Sequence, residues 1–594
     1  MTEVSNIIST NLDEYIGRVV SVDTNRALIV AESPEIIQEL TVSDLVAISG
    51  NTPQEYLIGL IEKVKRTLGS TINGLEIISE EEDPLEDVDI PSDTGYDVIQ
   101  VALIGTYWEV LGSRRSVFKR GAKYFPKVDK PVHLINKNSL EQLMSVVAND
   151  TPKDLQLILG TYGDTSSKAV ANGNKLFQRH AALLGSTGSG KSWTVASLLE
   201  QASKLKHANI IVFDIHGEYK TLTDEAVGAD FTPIARYYRI AGPGDIEYGA
   251  RNCIFVPHWL LNKDEMLALL LDRSDNNAPN QASRFIHHVR ELKKEYLESV
   301  GLEHLIPNLT IDAPIPYSIH TLLERLNADD SGTKPGSTRD VKGDWNGKLT
   351  RFISRLQSKV DDRRNAFLFE TPSESNDYTW LERYASEFIE TADGTLGIKI
   401  IDFSEVPSDI LPIVIGVFTR FIYNIQFWRK ESNRTPITFV CDEAHIYLPT
   451  KDSVDTDSKI ALDTFEKIAK EGRKYGVSLF VVSQRPSDVS RTILSQCNNI
   501  ISLRLSNPQD QSVVHKLMPD SLSSLTSILP ILDIGEAILL GDSVLLPSRI
   551  KLTPPTLKPA SATKEFWQEW SQTISDRQSI CEAVESLRRQ SRLR

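Results

Sequence analysis

The order of apolar and polar positions divides the chain near residue 155. Before that point Arg18–Ala31, Glu55–Val64, Tyr96–Thr106 and Val132–Ile135 are short β-rich stretches broken by Gly, Asn and Pro. That rhythm predicts a small barrel or sandwich. The acidic stretch Glu80–Asp89 among them is expected to be a solvated loop. Beyond residue 155 the runs Ala181–Leu184, Ile210–Asp214, Ile398–Phe403, Ile437–Asp442, Val477–Ser483 and Ile500–Leu505 are apolar without polar alternation. Such runs suit strands buried on both faces of a parallel sheet. Met266–Leu271 and Phe285–Leu297 carry helical spacing and precede the Gly-, Ser- and Asp-rich stretch Ala328–Gly347, so 257–365 is expected to be a helical insertion. Phe566–Arg594 reads as an amphipathic helix that turns basic. The expected organisation is a β-barrel over 1–155, an α/β core over 156–560 and a helical tail over 561–594.

Composition narrows the class. A chain of 594 residues is long enough for several domains, and 40% hydrophobic with 24% charged residues is the balance of a globular protein. Acidic residues exceed basic ones, 80 to 65, for a net charge of −15. That acidity argues against a surface coated in nucleic-acid contacts, though not against basic groups lining one channel. The longest apolar run, Ile410–Phe418, falls far short of the ~18 residues of a membrane span. The first residues lack the basic and apolar regions of a signal peptide, and a cytoplasmic protein without a membrane segment is expected. Cys253, Cys441, Cys497 and Cys581 lie far apart with no CxxC pair, against a zinc ribbon or a disulfide framework.

The strongest chemical signal follows the run Ala181–Leu184. Gly185, Ser186, Thr187, Gly188, Ser189, Gly190, Lys191 and Ser192 fit G-x-x-x-x-G-K-[ST] between a strand and a helical stretch, the setting of a phosphate-binding loop. These eight residues and the adjoining Trp193 are the expected nucleotide contacts. The glycines let backbone N–H groups and a helix N-terminus face a β-phosphate. Lys191 reaches the β- and γ-phosphates, and the Ser192 hydroxyl ligates Mg²⁺. The run Ile437–Glu443 ends in paired carboxylates: Asp442 would hold Mg²⁺ through water and Glu443 would polarise the attacking water. Gln484 directly follows the run Val477–Ser483, where an amide touches a γ-phosphate or serves only as a loop residue. Arg473, in Glu471–Gly476, is either a solvated arginine or a charge offered to a neighbouring subunit's site. The acids of Asp214–Tyr219 also sit at a strand's carboxyl end. His216 and His445 lack metal-ligand spacing and read as polar edge residues, and the adjacent His287 and His288 face different ways on a helix.

Taken in order, RHAALLGSTGSGKS, DIHGEY, FVCDEAH, EGRKYG, SQRPSD and the late GEAILLG resemble a HerA-type ATPase of the FtsK–HerA superfamily. The resemblance is strong over 158–550, and the β-rich N-terminus is similar to that family's HAS-barrel. It implies a RecA-like P-loop ATPase core, ATP and Mg²⁺ as ligands, and a homohexameric ring that translocates double-stranded DNA through its pore. It also implies that Arg473 is the arginine finger, Gln484 the sensor and Arg179 a second functional arginine. Implied partners are a NurA-type nuclease or, in antiviral defence, an effector such as a sirtuin-like NAD hydrolase or another nuclease. Arg351, Arg355 and Lys359, with Lys348 nearby, are candidates for DNA contact or simply a solvated helix face. Two other readings stay open: a ring ATPase that moves protein, and an ATP-dependent scaffold that organises a partner effector. No LSGGQ-like segment supports an ABC-type ATPase.

Overall fold

A computed structural model describes residues 15–52, 54–66, 97–108, 117–135, 137–149, 151–163, 167–223, 232–248, 252–335, 340–391, 396–451, 456–561, 564–571 and 577–590. The acidic stretch Glu80–Asp89 lies outside the described residues, as do residues 591–594 of the basic end. The chain forms two compact units. The first comprises Met1–Thr194, Gln484–Ser487 and Cys497–Pro554, the second Val195–Ser483, Asp488–Gln496 and Pro555–Arg594.

The first unit opens with β1 (Tyr15–Val22), β2 (Arg26–Ala31), β3 (Leu45–Ser49), β4 (Glu55–Arg66), β5 (Asp97–Trp108), β6 (Val117–Arg120) and β7 (Pro131–Leu134). Six of them run antiparallel in the order β2-β1-β7-β3-β4-β5, and β2 pairs back onto β5. The sheet is therefore a closed barrel, with β6 appended to β5. Closure leaves no free edge among the six strands. Inward residues such as Val19, Ile29, Val46, Leu57, Ile99 and Val132 fill it. One buried carboxylate, Glu62, is matched by Arg26 Nε at 3.0 Å and by Gln100 Nε2 at 2.9 Å, as burial of a charge demands. The unit continues with β8 (Gln156–Thr161), β9 (Lys168–Asn172) and β10 (Ala181–Leu184); the last is buried throughout.

The second unit holds β11 (Ile210–Asp214), β12 (Ala235–Ile240), β13 (Cys253–Ile254), the small hairpin β14 (Thr333–Lys334) and β15 (Val341–Lys342), β16 (Ile398–Asp402), β17 (Ile437–Cys441) and β18 (Val477–Ser483). Its main strands are all parallel, in the order β13-β12-β16-β11-β17-β18. Their near-continuous burial explains the missing polar alternation. Register aligns the carboxyl ends. Asp214 pairs level with Asp402, and Phe213 pairs level with Cys441, so Asp442 falls beside Asp214. Between β13 and β16 the chain is helical, from Lys263–Leu270 through Ala278–Ser299, Ile319–Ser331 and Thr350–Asp361 to Trp380–Ile389; helices thus continue past residue 365.

One helix among the described residues, Leu411–Trp428, is long and apolar enough to cross a membrane, and 72% of it is buried inside the fold. It contains the run Ile410–Phe418 apart from its first residue and packs its apolar faces into the α/β core. The chain then returns to the first unit with β19 (Asn499–Ser502), β20 (Glu536–Gly541) and β21 (Ser548–Leu552). Strand β19 is parallel to β10, while β20, β21, β8 and β9 follow antiparallel. Of the expected helical tail, Phe566–Trp570 and Arg577–Arg589 are helices.

Candidate active site

In the first unit, β10 delivers the chain into the glycine loop and the helix Lys191–Ala202 follows at once. Gly185 is required by space: a Cβ there would stand 2.6 Å from Ser189 Oγ and 2.7 Å from Leu503 Cβ. Gly188 is required by conformation, with φ +74° and open space around it. The loop is pinned from several sides. Ser186 N–H donates to Arg504 O at 2.8 Å, and Ser186 Oγ accepts from Ser506 N–H at 3.2 Å. Ser189 Oγ donates to Ser186 O at 2.7 Å, and Gly535 N–H donates to Ser189 O at 3.2 Å. The buried Lys191 ammonium donates to Ser186 O at 3.2 Å, closing the loop on itself. Thr187 Oγ1 donates to Gln484 Oε1 at 2.6 Å, so the loop and Gln484 meet directly. Ser192 and Trp193 occupy the first helical turn. A glycine cradle, a helix N-terminus and one lysine fit a nucleotide's phosphates.

In the second unit the carboxyl ends of β11, β16 and β17 carry a buried acidic group. Asp214 turns inward and caps its own loop, accepting N–H donations from Gly217 at 2.8 Å, Glu218 at 3.0 Å and Tyr219 at 2.9 Å. Burial pushes its pKa up to about 7, with the Asp402 charge adding to the rise and the N–H bonds opposing it. Asp402, which the sequence reading did not single out, accepts from Tyr237 OH at 2.6 Å and from Ser404 N–H at 2.8 Å. The signal for it was present, since β11 and β16 end in aspartate and β17 is followed by one.

Asp442 is buried, and burial holds its pKa well above the ordinary carboxylate range, followed by the charges of Glu443, Asp214 and Glu218. Its Oδ1 accepts the Glu443 N–H at 3.0 Å, and its backbone carbonyl accepts from Tyr447 OH at 2.9 Å. Glu443 adopts the left-handed region, φ 45° and ψ 44°, a conformation that costs a non-glycine residue about 1–2 kcal/mol. His445 Nδ1 stands 3.3 Å from Glu443 Oε2. Among the described residues no group of three or more His, Cys, Asp or Glu is arranged as a metal cage. Mg²⁺ takes one or two carboxylates plus substrate phosphates, and a crowded buried acid is the donor such an ion would relieve.

The arginines differ from one another. Arg473 sits in the turn Gly472–Tyr475, exposed, and its guanidinium has no ion pair or hydrogen bond among the described residues. Arg179 is committed within the first unit: it forms a short ion pair with Asp542, whose carboxyl it holds below the usual range despite partial burial. The candidate DNA contacts form ion pairs at the surface. Arg355 pairs with Asp272 at 2.8 Å, Lys359 with Asp409 at 2.9 Å and Arg351 with Asp275 at 3.9 Å. Lys348 lies over the Trp345 ring at 5.9 Å. His288 Nε2 bonds Asp329 Oδ2 at 2.6 Å, and His216 is exposed.

A phosphate loop entering a helix, and a parallel sheet whose carboxyl ends carry Asp442 and Glu443, define the protein as a P-loop ATPase with a RecA-like core. The family model "Helicase HerA, central domain" matches residues 157–422, and "Helicase HerA-like C-terminal" matches 429–580. A Methanocaldococcus jannaschii protein, "Probable helicase MJ1565", is 30% identical over 452 residues, 75% of this chain and 75% of its own. The "DNA double-strand break repair helicase HerA" of Saccharolobus solfataricus is 25% identical over 72% of this chain and 74% of its own. Among solved structures, VirB4 of Thermoanaerobacter pseudethanolicus overlaps 68% of this chain and 98% of its own, at 14% identity and a TM-score of 0.43. The two family models and the first relative place the chain: it belongs to the HerA helicase family.

Proposed function

We propose that this ATPase is a ring-forming motor, a homohexamer in the cytoplasm, that hydrolyses ATP with Mg²⁺ and drives double-stranded DNA through its pore. Lys191 and the loop's N–H groups hold the phosphates, Ser192 and Asp442 hold the ion, and Glu443 takes the proton of the attacking water. Mg²⁺ there supplies charge neutralisation on the β- and γ-oxygens. Gln484, oriented by Thr187, reports the γ-phosphate, and Arg473 serves the neighbour's site. The single observation that carries this reading is the pair Asp442–Glu443 at the end of a buried strand, in a HerA-family chain with an intact phosphate loop. A nucleotide-binding switch has no need of that second acid. The motor serves a partner nuclease or a defence effector; several relatives carry the name DNA double-strand break repair helicase.

The test is ATP turnover with and without duplex DNA across a salt series. The motor reading expects DNA to stimulate hydrolysis, with stimulation fading as salt rises. Glu443→Gln should bind ATP while hydrolysis falls at least ~10²-fold. Turnover indifferent to DNA at every salt concentration would reject the motor.

A further inference from the structure

Within the first unit the phosphate loop has an apolar neighbour that phosphate chemistry does not use. Just before β20 the chain makes a tight turn over Asp533, Ile534, Gly535 and Glu536. Glu536 N–H donates to Asp533 O at 3.1 Å, and Gly535 takes φ +79°, the third place of a type II turn. The Glu536 carboxylate fixes the turn further. Its Oε2 accepts from Asp533 N–H at 2.9 Å and from the Arg549 guanidinium at 2.7 Å. The turn is seated on the phosphate loop: Gly535 N–H donates to Ser189 O at 3.2 Å, and a Cβ placed on Gly190 would stand 3.7 Å from Gly535 N. On its other side, Leu552 N–H donates to Gly535 O at 2.7 Å, which ties the turn to the end of β21. Ile534, at the tip, is 65% exposed. A lone exposed aliphatic residue needs no explanation, but this one is held in a fixed place beside a ligand cradle.

We propose that Ile534 recognises the base of the bound nucleotide, and that with Trp193 it forms the apolar surface against which the base packs. The proposal rests on the reading of the loop as a nucleotide site and names the element that grips the part of the nucleotide the loop cannot. The two ends of the loop support the assignment. At one, Thr187 meets Gln484, the residue read as reporting the γ-phosphate. At the other, Ser189 and Gly190 meet the Ile534 turn. A triphosphate laid through the loop with its γ-end at Gln484 leaves its ribose and base on the Ile534 side. Trp193 comes one helical turn beyond Gly190 and is 37% exposed. The carboxylates of the turn are engaged with its own backbone and with Arg549. What Ile534 offers a ligand is therefore hydrocarbon, which suits the flat face of a base.

The experiment titrates the full-length protein with two ligands, a non-hydrolysable ATP analogue and inorganic triphosphate, each with Mg²⁺. Both fill the phosphate loop, and only the first carries a base. Ile534 is exposed, so Ile534→Ala should melt as the wild type does. Its affinity for the ATP analogue should fall about fivefold to tenfold, the scale of losing a partly buried aliphatic side chain, while its affinity for triphosphate stays unchanged. Ile534→Leu should restore the nucleotide affinity, and Trp193→Ala should repeat the selective loss. An equal loss for both ligands in Ile534→Ala would mean that the loop had been displaced, and no loss for either would mean that the base lies elsewhere; each overturns the proposal. A wild type that binds triphosphate as tightly as the ATP analogue also overturns it and leaves the phosphate loop standing. A wild type that binds neither ligand sinks the nucleotide reading and the proposal together.

Discussion

At the residue scale the buried acids make the sharpest claim. Asp214 keeps a proton in the folded unit up to about pH 7, whereas an unfolded aspartate loses it near pH 4. Between those values the folded state binds more protons than the unfolded one, so the stability from this group falls as pH rises through the window. The melting temperature of the ligand-free wild type should therefore drop from pH 5 to pH 7.5 by more than that of Asp214→Asn, which cannot titrate. Equal slopes for the two would show that Asp214 is ionised in the fold, held charged by its three N–H donors. Asp442 moves in the same direction for the same reason, and a divalent cation bound beside it favours the ionised form. The backbone of Glu443 belongs at this scale too. Its left-handed φ and ψ, 45° and 44°, turn the chain directly after Asp442.

At the scale of elements, the loop between β10 and its helix shows two glycines needed for different reasons. Gly185→Ala drives a methyl into Ser189 and Leu503, an overpacking that costs about 1–3 kcal/mol and displaces the loop. Gly188→Ala meets no atom and pays only for φ, about 1–2 kcal/mol. Nucleotide titration should find affinity reduced more by Gly185→Ala than by Gly188→Ala; the opposite order would mean that conformation, not packing, holds the cradle. Much of this was legible in the sequence. The runs Ala181–Leu184, Ile210–Asp214 and Val477–Ser483 match strands β10, β11 and β18 residue for residue; their period alone does not separate a buried strand from a buried helix, and their short length does. The N-terminal stretches left barrel and sandwich open, since closure depends on β2 meeting β5, a pairing some seventy residues apart in the chain. Long-range ion pairs were equally hidden. Helical spacing put Arg351, Arg355 and Lys359 on one face, but nothing in it could show Asp272, Asp275 and Asp409 arriving to neutralise them. Arg179 and Asp542, 363 positions apart, are the same case.

At the scale of the whole molecule, the residues proposed for hydrolysis fall in both units. The first unit carries the phosphate loop and Gln484; the second carries Asp442, Glu443 and the exposed Arg473. An arginine that pairs with nothing among the described residues of its own chain is well suited to another chain's phosphates, where such a group is worth ~10³–10⁵ in rate. Trans completion of the site is the central claim, and mixing two inactive variants tests it most directly. Arg473→Ala retains its own Glu443 but offers no finger; Glu443→Gln offers a finger but has no base. When the two are unfolded or dissociated together and reassembled in equal amounts, about a quarter of the sites should combine a working base with a neighbour's arginine. The account predicts that ATP hydrolysis reappears in the mixture, well above either variant alone. Mixed rings that form and stay as inactive as their parents would contradict it.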